Sequence, residues 1–163
     1  MNIRRTVWVF LIAMAVVTAS GCERIKPKEP GDGWSTETSM SAVEYSMFLS
    51  GEISTVDNVL MTRISMAKSV MDEAYETDKE IQNTEESISK VASVVDEITM
   101  TMPAVDYESD RQNVLDLTED ARLALVKYKE QLEAGNIKDL DSNIEELKGC
   151  MIALGGAVNQ VYA

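Results

Sequence analysis

The chain of 163 residues contains no histidine. Without an imidazole, Ser-His-Asp and Cys-His catalysis, His-ligated zinc and an unperturbed side-chain switch near neutral pH are all excluded. Cysteine is nearly absent as well, with only Cys22 and Cys150, so at most one internal disulfide exists. Proline stands at 27, 30 and 103 alone, which leaves long stretches free of helix breakers. Basic residues are few, 15 against 28 acids, for a net charge of −13. Such an acidic chain is repelled by nucleic acid and by anionic lipid, and nucleic-acid binding is not expected. The length suits one ordinary domain.

What is present begins with an address. Arg4 and Arg5 lead into an apolar run from Val7 to Val17, followed by Thr18-Ala19-Ser20-Gly21 and then Cys22. A basic start, a short apolar run and a small-residue close form the layout of a secretory signal. Eleven apolar residues are too few for a bilayer core, which needs ~20 residues of helix. Ala19-Ser20-Gly21-Cys22 resembles the lipobox of bacterial lipoproteins, with Ala19 standing where that family usually carries Leu. The resemblance covers residues 1–22 only. It implies cleavage after Gly21, lipidation of Cys22 with palmitate-like acyl chains, and a domain held on the extracytoplasmic side of the bacterial cell membrane. Two or more acyl chains make a stable tether where one does not. With Cys22 acylated, no internal disulfide remains, and Cys150 reads as a lone, partly buried small hydrophobe.

Residues 22–34 read as the lipidated Cys and a linker. Glu23 to Gly33 holds two prolines and two glycines and has no apolar periodicity. Removing residues 1–21 takes away two arginines and no acids, leaving 13 basic against 28 acidic residues, a charge of −15. The linker is balanced, so the negative excess belongs to the domain at 35–163 and serves solubility.

That domain is expected to be all-α. Strand alternation is absent, and apolar residues keep a heptad phase. Ile53, Leu60, Ala67, Ala74, Ile81, Ile88, Val95 and Met102 are seven apart, with Val56, Val70, Val91 and Ile98 on a second line that Arg63, Thr77 and Thr84 interrupt. Two architectures follow. One is a single helix of ~50 residues and ~75 Å from 52 to 102. The other is a turn around 76–80 joining two antiparallel helices, which compactness favours.

Pro103 closes this half, and residues 106–110 supply caps and first-turn acids for the next helix. Its stripe runs through Val114, Leu117, Ala121, Ala124, Tyr128, Gln131 and Leu132 to a Gly135-Asn136 terminus. Ile137, Leu140, Ile144, Leu147, Met151, Leu154, Val158 and Val161 form the last and most regular seam. A short helix at 36–49, broken by Gly51, precedes them all. The reading is an up-down bundle of four helices, or of three with one long coiled-coil-like helix.

Few residues point to chemistry. Acidic pairs such as Glu85 with Glu86 and Glu145 with Glu146 fall beside the apolar stripes and read as a solvated face. The Glu-x-x-His of di-iron bundles is missing, and Asp139-Leu140-Asp141 lacks the rest of a calcium loop. Eight methionines follow Cys22. A Cu(I) site is one reading of their thioethers, but core filling or an adaptable partner surface explains them without a metal. Met61 and Met66 lie off the main seam and are candidate partner-binding residues. Gly149, Ala153 and Ala157, four apart, form a small-residue line for close helix packing or a groove, and are candidates on the same footing. Arg63 is expected to reach an acidic neighbour, and Trp34 to cap the bundle or meet lipid headgroups.

No enzyme, cofactor or metal site is expected. The expected function is that of a membrane-anchored envelope lipoprotein whose helical domain binds a protein partner or acts structurally, with a homodimer as one form of that contact. The alternative is a small-ligand or metal-binding lipoprotein using the bundle core or a Met-lined groove.

Overall fold

A computed structural model describes residues 40–161. The signal, Gly21, Cys22, the linker and Trp34 lie outside the described residues. Within them the fold is a four-helix bundle: α1 (Ala42–Met71), α2 (Thr77–Met100), α3 (Glu108–Glu133) and α4 (Leu140–Val161), the last preceded by a single 3₁₀ turn at Ile137–Asp139. Each helix packs on the next, and α4 returns to α1. The pair α1 and α3 approach across the middle, whereas the backbones of α2 and α4 stay farther apart. The short connections 72–76 and 134–139 lie at one end of the bundle. The connection 101–107 and the start of α1 lie at the other.

Every helix presents one buried line at 3,4 spacing. In α1 it is Ser46, Leu49, Ile53, Val56, Leu60, Arg63, Ala67 and Val70. In α3 it is Val114, Thr118, Ala121, Leu125, Tyr128 and Leu132, and in α4 Leu140, Ile144, Leu147, Leu154 and Val161. Burying a Leu, Ile or Val in such a line contributes ~1.5–3 kcal/mol. Tyr45, Tyr128, Leu49, Leu60, Leu125 and Leu147 are among the largest side chains wholly withdrawn from water.

Between α1 and α2 the chain turns at 72–76, a few residues before the expected window around 76–80. The turn needs no glycine or proline. Glu73 takes the left-handed conformation at φ 57°, and its N–H donates to the Val70 carbonyl while that of Ala74 donates to Ser69. This paired closure is the Schellman motif. The same motif ends α3, where Gly135 has φ 70° and the N–H groups of Gly135 and Asn136 donate to Leu132 and Gln131. Glutamate at 73 therefore does what glycine does at 135, at a steric cost of ~1–2 kcal/mol.

The turn also breaks the heptad phase. Ile53, Leu60 and Ala67 are buried, but Ala74 and Met102 are exposed and Ile81, Ile88 and Val95 only half-buried. The core line of α2 is Glu80, Thr84, Val91, Val94 and Ile98, so the second of the two lines faces inward.

Gly51 does not interrupt α1, and the described part of the short helix expected at 36–49 is the first part of α1, not a separate element. The helix begins at a capping box in which Ser41 Oγ accepts from the Glu44 N–H and the Glu44 carboxylate accepts from the Ser41 N–H. Its inward face on either side of Gly51 is held by Leu49 and Ile53, and this packing outweighs the ~1 kcal/mol a helical glycine costs.

Candidate functional site

The least ordinary chemistry lies inside the bundle. Arg63 on α1 and Glu80 on α2 both occupy core-line positions, and the turn folds them together. Arg63 Nη1 donates to Glu80 Oε2 at 2.9 Å, and Tyr128 Oη from α3 donates to the other carboxylate oxygen at 3.1 Å. Thr84 Oγ1 donates to the Glu80 main-chain carbonyl at 2.7 Å. Glu80 and Tyr128 are completely buried, and the Arg63 side chain is only 8% exposed. Burial pushes the Glu80 carboxyl above the ordinary carboxylate range, against the opposing pull of Arg63, Tyr128 and Thr84. Burial, with the neighbouring carboxylate, likewise drives the Tyr128 hydroxyl far above its usual range. Arg63 Nε finds no hydrogen-bond partner. The cluster has no open face at the carboxylate, so its chemistry is structural: it ties three helices at one level and fixes their register.

Arg63 thus reaches an acid, as its position on the α1 line predicts, but by burial and not by extending to water. Glu80 was hidden among abundant surface acids. Its signal was positional, since 80, 84, 87, 91, 94 and 98 follow the same 3,4 spacing as the other core lines. Most of the acids expected on a solvated face are there: Asp72, Glu73, Glu76, Glu85, Glu86, Asp96, Glu97, Asp120 and Glu145 are exposed, whereas Glu119 and Glu146 are half-buried.

At the end where α1 begins, a second cluster joins three elements. The buried ring of Tyr45 meets Tyr107 edge-on at 5.7 Å and Phe48 at 5.9 Å. Arg111 on α3 donates to the carbonyls of Ile98 and Thr99 at 3.2 and 2.9 Å and to Glu108 at 2.9 Å. It thereby satisfies two carbonyls of the last turn of α2 and places a cation at that negative end. Outside this cluster stand Met40, Val43, Met47, Met100, Met102 and Val105, all exposed, with Met100 and Val105 above 80%.

The candidate partner residues fall at separate places. Met61 is exposed and Met66 half-buried. Gly149 is exposed, Ala153 half-buried and Ala157 buried. A Cβ added at Gly149, Gly155 or Gly156 would meet nothing within 4 Å, so the glycines of α4 are not there for close packing inside the bundle. Cys150 is half-buried, and burial, reinforced by Asp120 and Glu146, pushes its thiol up and away from reactivity.

Open clefts flank the helices. The one at the 72–76 turn is about 470 Å³ and is lined by Val70, Met71, Tyr75, Ile137 and Lys138. A smaller cleft of about 290 Å³ runs between α1 and α2 past Asn58, Thr62, Asn83 and Lys90. No group of three or more Cys, Asp or Glu side chains is placed to hold a metal ion among the described residues. No helix among them is long and apolar enough to cross a membrane. The chain matches no protein-family model, no curated protein and no solved structure.

Proposed function

We propose that this protein is a lipid-anchored component of the bacterial cell envelope whose four-helix domain works by binding another protein, without catalysis. The observation that carries the reading is Ala19-Ser20-Gly21-Cys22 at the end of a short secretory signal, followed by a Pro/Gly linker that leads into a self-contained bundle. Cys22 is the lipid attachment point, and residues 1–21 are removed. Exposed apolar side chains, Met61 on α1 among them, supply adaptable contact surface of the kind partner-binding domains use. The buried titratable residues are spent on cohesion: Glu80 is locked between Arg63 and Tyr128 and faces no cleft.

Affinity capture from detergent-solubilised membranes tests this, using the native protein beside Cys22→Ala as the mislocalised control. A stoichiometric protein partner that is present with the native chain and lost with the variant is the expected result. Capture of a small molecule or metal ion in place of a protein would contradict the interaction reading.

A further inference from the structure

The large apolar side chains that remain in water are unevenly placed. Nine stand exposed among the described residues, and six of them, Met40, Val43, Met47, Met100, Met102 and Val105, belong to the end where α1 begins. Met61, Leu123 and Ile152 lie along the helices, and the opposite end, with its 72–76 and 134–139 connections, has none. A soluble domain has no reason of its own to gather its exposed methionine and valine at one end.

Residues 1–39 join the bundle at this same end, through Met40. If Cys22 carries lipid, only 17 residues separate the anchor from Met40. The short tether holds the apolar end at a high local concentration of lipid, so that even a weak contact is populated. The opposite end is farther from the membrane by the length of the bundle. The geometry points to this apolar end as a seat on the bilayer surface, with Val43, Met47, Met100, Met102 and Val105 entering the headgroup region and the helices standing away from it.

This inference rests on the lipid-anchor reading. It also fixes the lipid chemistry. Among the described residues Glu44, Asp106, Glu108 and Asp110 crowd the same end, and Arg111 is its one cation, already bound to Glu108 and to main-chain carbonyls. Zwitterionic headgroups therefore suit the seat, and anionic ones oppose it. The acidic surround also keeps this end soluble before anchoring, despite its exposed apolar side chains.

The test uses the full lipidated protein, purified from membranes in a Cys150→Ala background and reconstituted in phosphatidylcholine vesicles. A polarity-sensitive fluorophore is placed in turn at Val43→Cys, Val105→Cys and, at the opposite end, Lys138→Cys. Helical circular dichroism identifies variants that keep the fold. Blue-shifted emission and quenching by nitroxide-labelled lipid at positions 43 and 105, with neither at 138, is expected, and both effects should diminish as phosphatidylglycerol is added at low salt. Protein that floats with the vesicles while all three probes report water would overturn the seat and leave the anchor standing. Protein that does not float would overturn both. Shielding at 43 and 105 that appears only when envelope proteins are added would also overturn the seat, assigning the end to a protein partner.

Discussion

Removing the Arg63 guanidinium would leave the Glu80 carboxylate buried with only the Tyr128 hydroxyl to hold it. Arg63→Met should therefore destabilise the fold by about 3–5 kcal/mol, whereas Arg63→Met with Glu80→Leu should recover most of that loss, because no charge is then stranded. Urea unfolding of the two single variants and the double variant measures the coupling. Additive losses would show that the pair does not act as a unit. The pH dependence has a definite sign. Because burial holds the Glu80 carboxyl above the ordinary range, the folded state binds its proton more tightly than the unfolded chain does. That contribution is fully present below the unfolded value and is lost as pH rises through the folded one. The stability of the native chain relative to Glu80→Gln should fall as pH rises from about 4 toward neutrality, measured by denaturant unfolding at each pH. A relative gain over that interval would show that Arg63 and Tyr128 outweigh burial. Half of this cluster was legible beforehand. An arginine on an apolar line announces itself, but a glutamate in a chain with so many surface acids does not. Its depth becomes visible only once the turn sets the phase of α2.

The elements divide by how their ends are made. Glu73 and Gly135 occupy equivalent left-handed positions in two Schellman closures at the same end of the bundle. Glu73→Gly should stabilise the protein by about 0.5–1 kcal/mol by removing the strain of a side chain at φ 57°, while Gly135→Ala should cost about 1 kcal/mol by creating that strain. Gly155, inside α4 with open space where its Cβ would stand, should gain about 0.5–1 kcal/mol on substitution by Ala. Thermal unfolding of the three variants checks the signs, and a loss for Gly155→Ala would reveal a contact to that face. These ends also explain what the sequence pattern could and could not convey. The Gly135-Asn136 terminus and the regular α4 seam were readable because residue chemistry and geometry agree there. The 72–76 turn carries no glycine or proline, so periodicity alone located it a few residues late and carried one heptad line across it. Gly51 misleads in the opposite direction, since the packing of α1 overrides a local breaker.

For the whole molecule, the bundle is a scaffold: three helices are pinned through Glu80, α2 and α3 are latched by Arg111, and most of the exposed large apolar side chains gather at the end where α1 begins. An all-α bundle was available from spacing, and compactness, not spacing, favoured the turn that makes it four helices. The distribution of exposed methionine and valine was not, because exposure depends on which faces the turn brings together. The account stands or falls on the anchor at Cys22. The most direct measurement is the intact mass of the protein extracted from native membranes. The account predicts a chain beginning at Cys22, with residues 1–21 absent and acyl chains added, and no such species from Cys22→Ala. A chain that retains residues 1–21 without lipid, or one released from the membrane with a free Cys22 thiol, would contradict it.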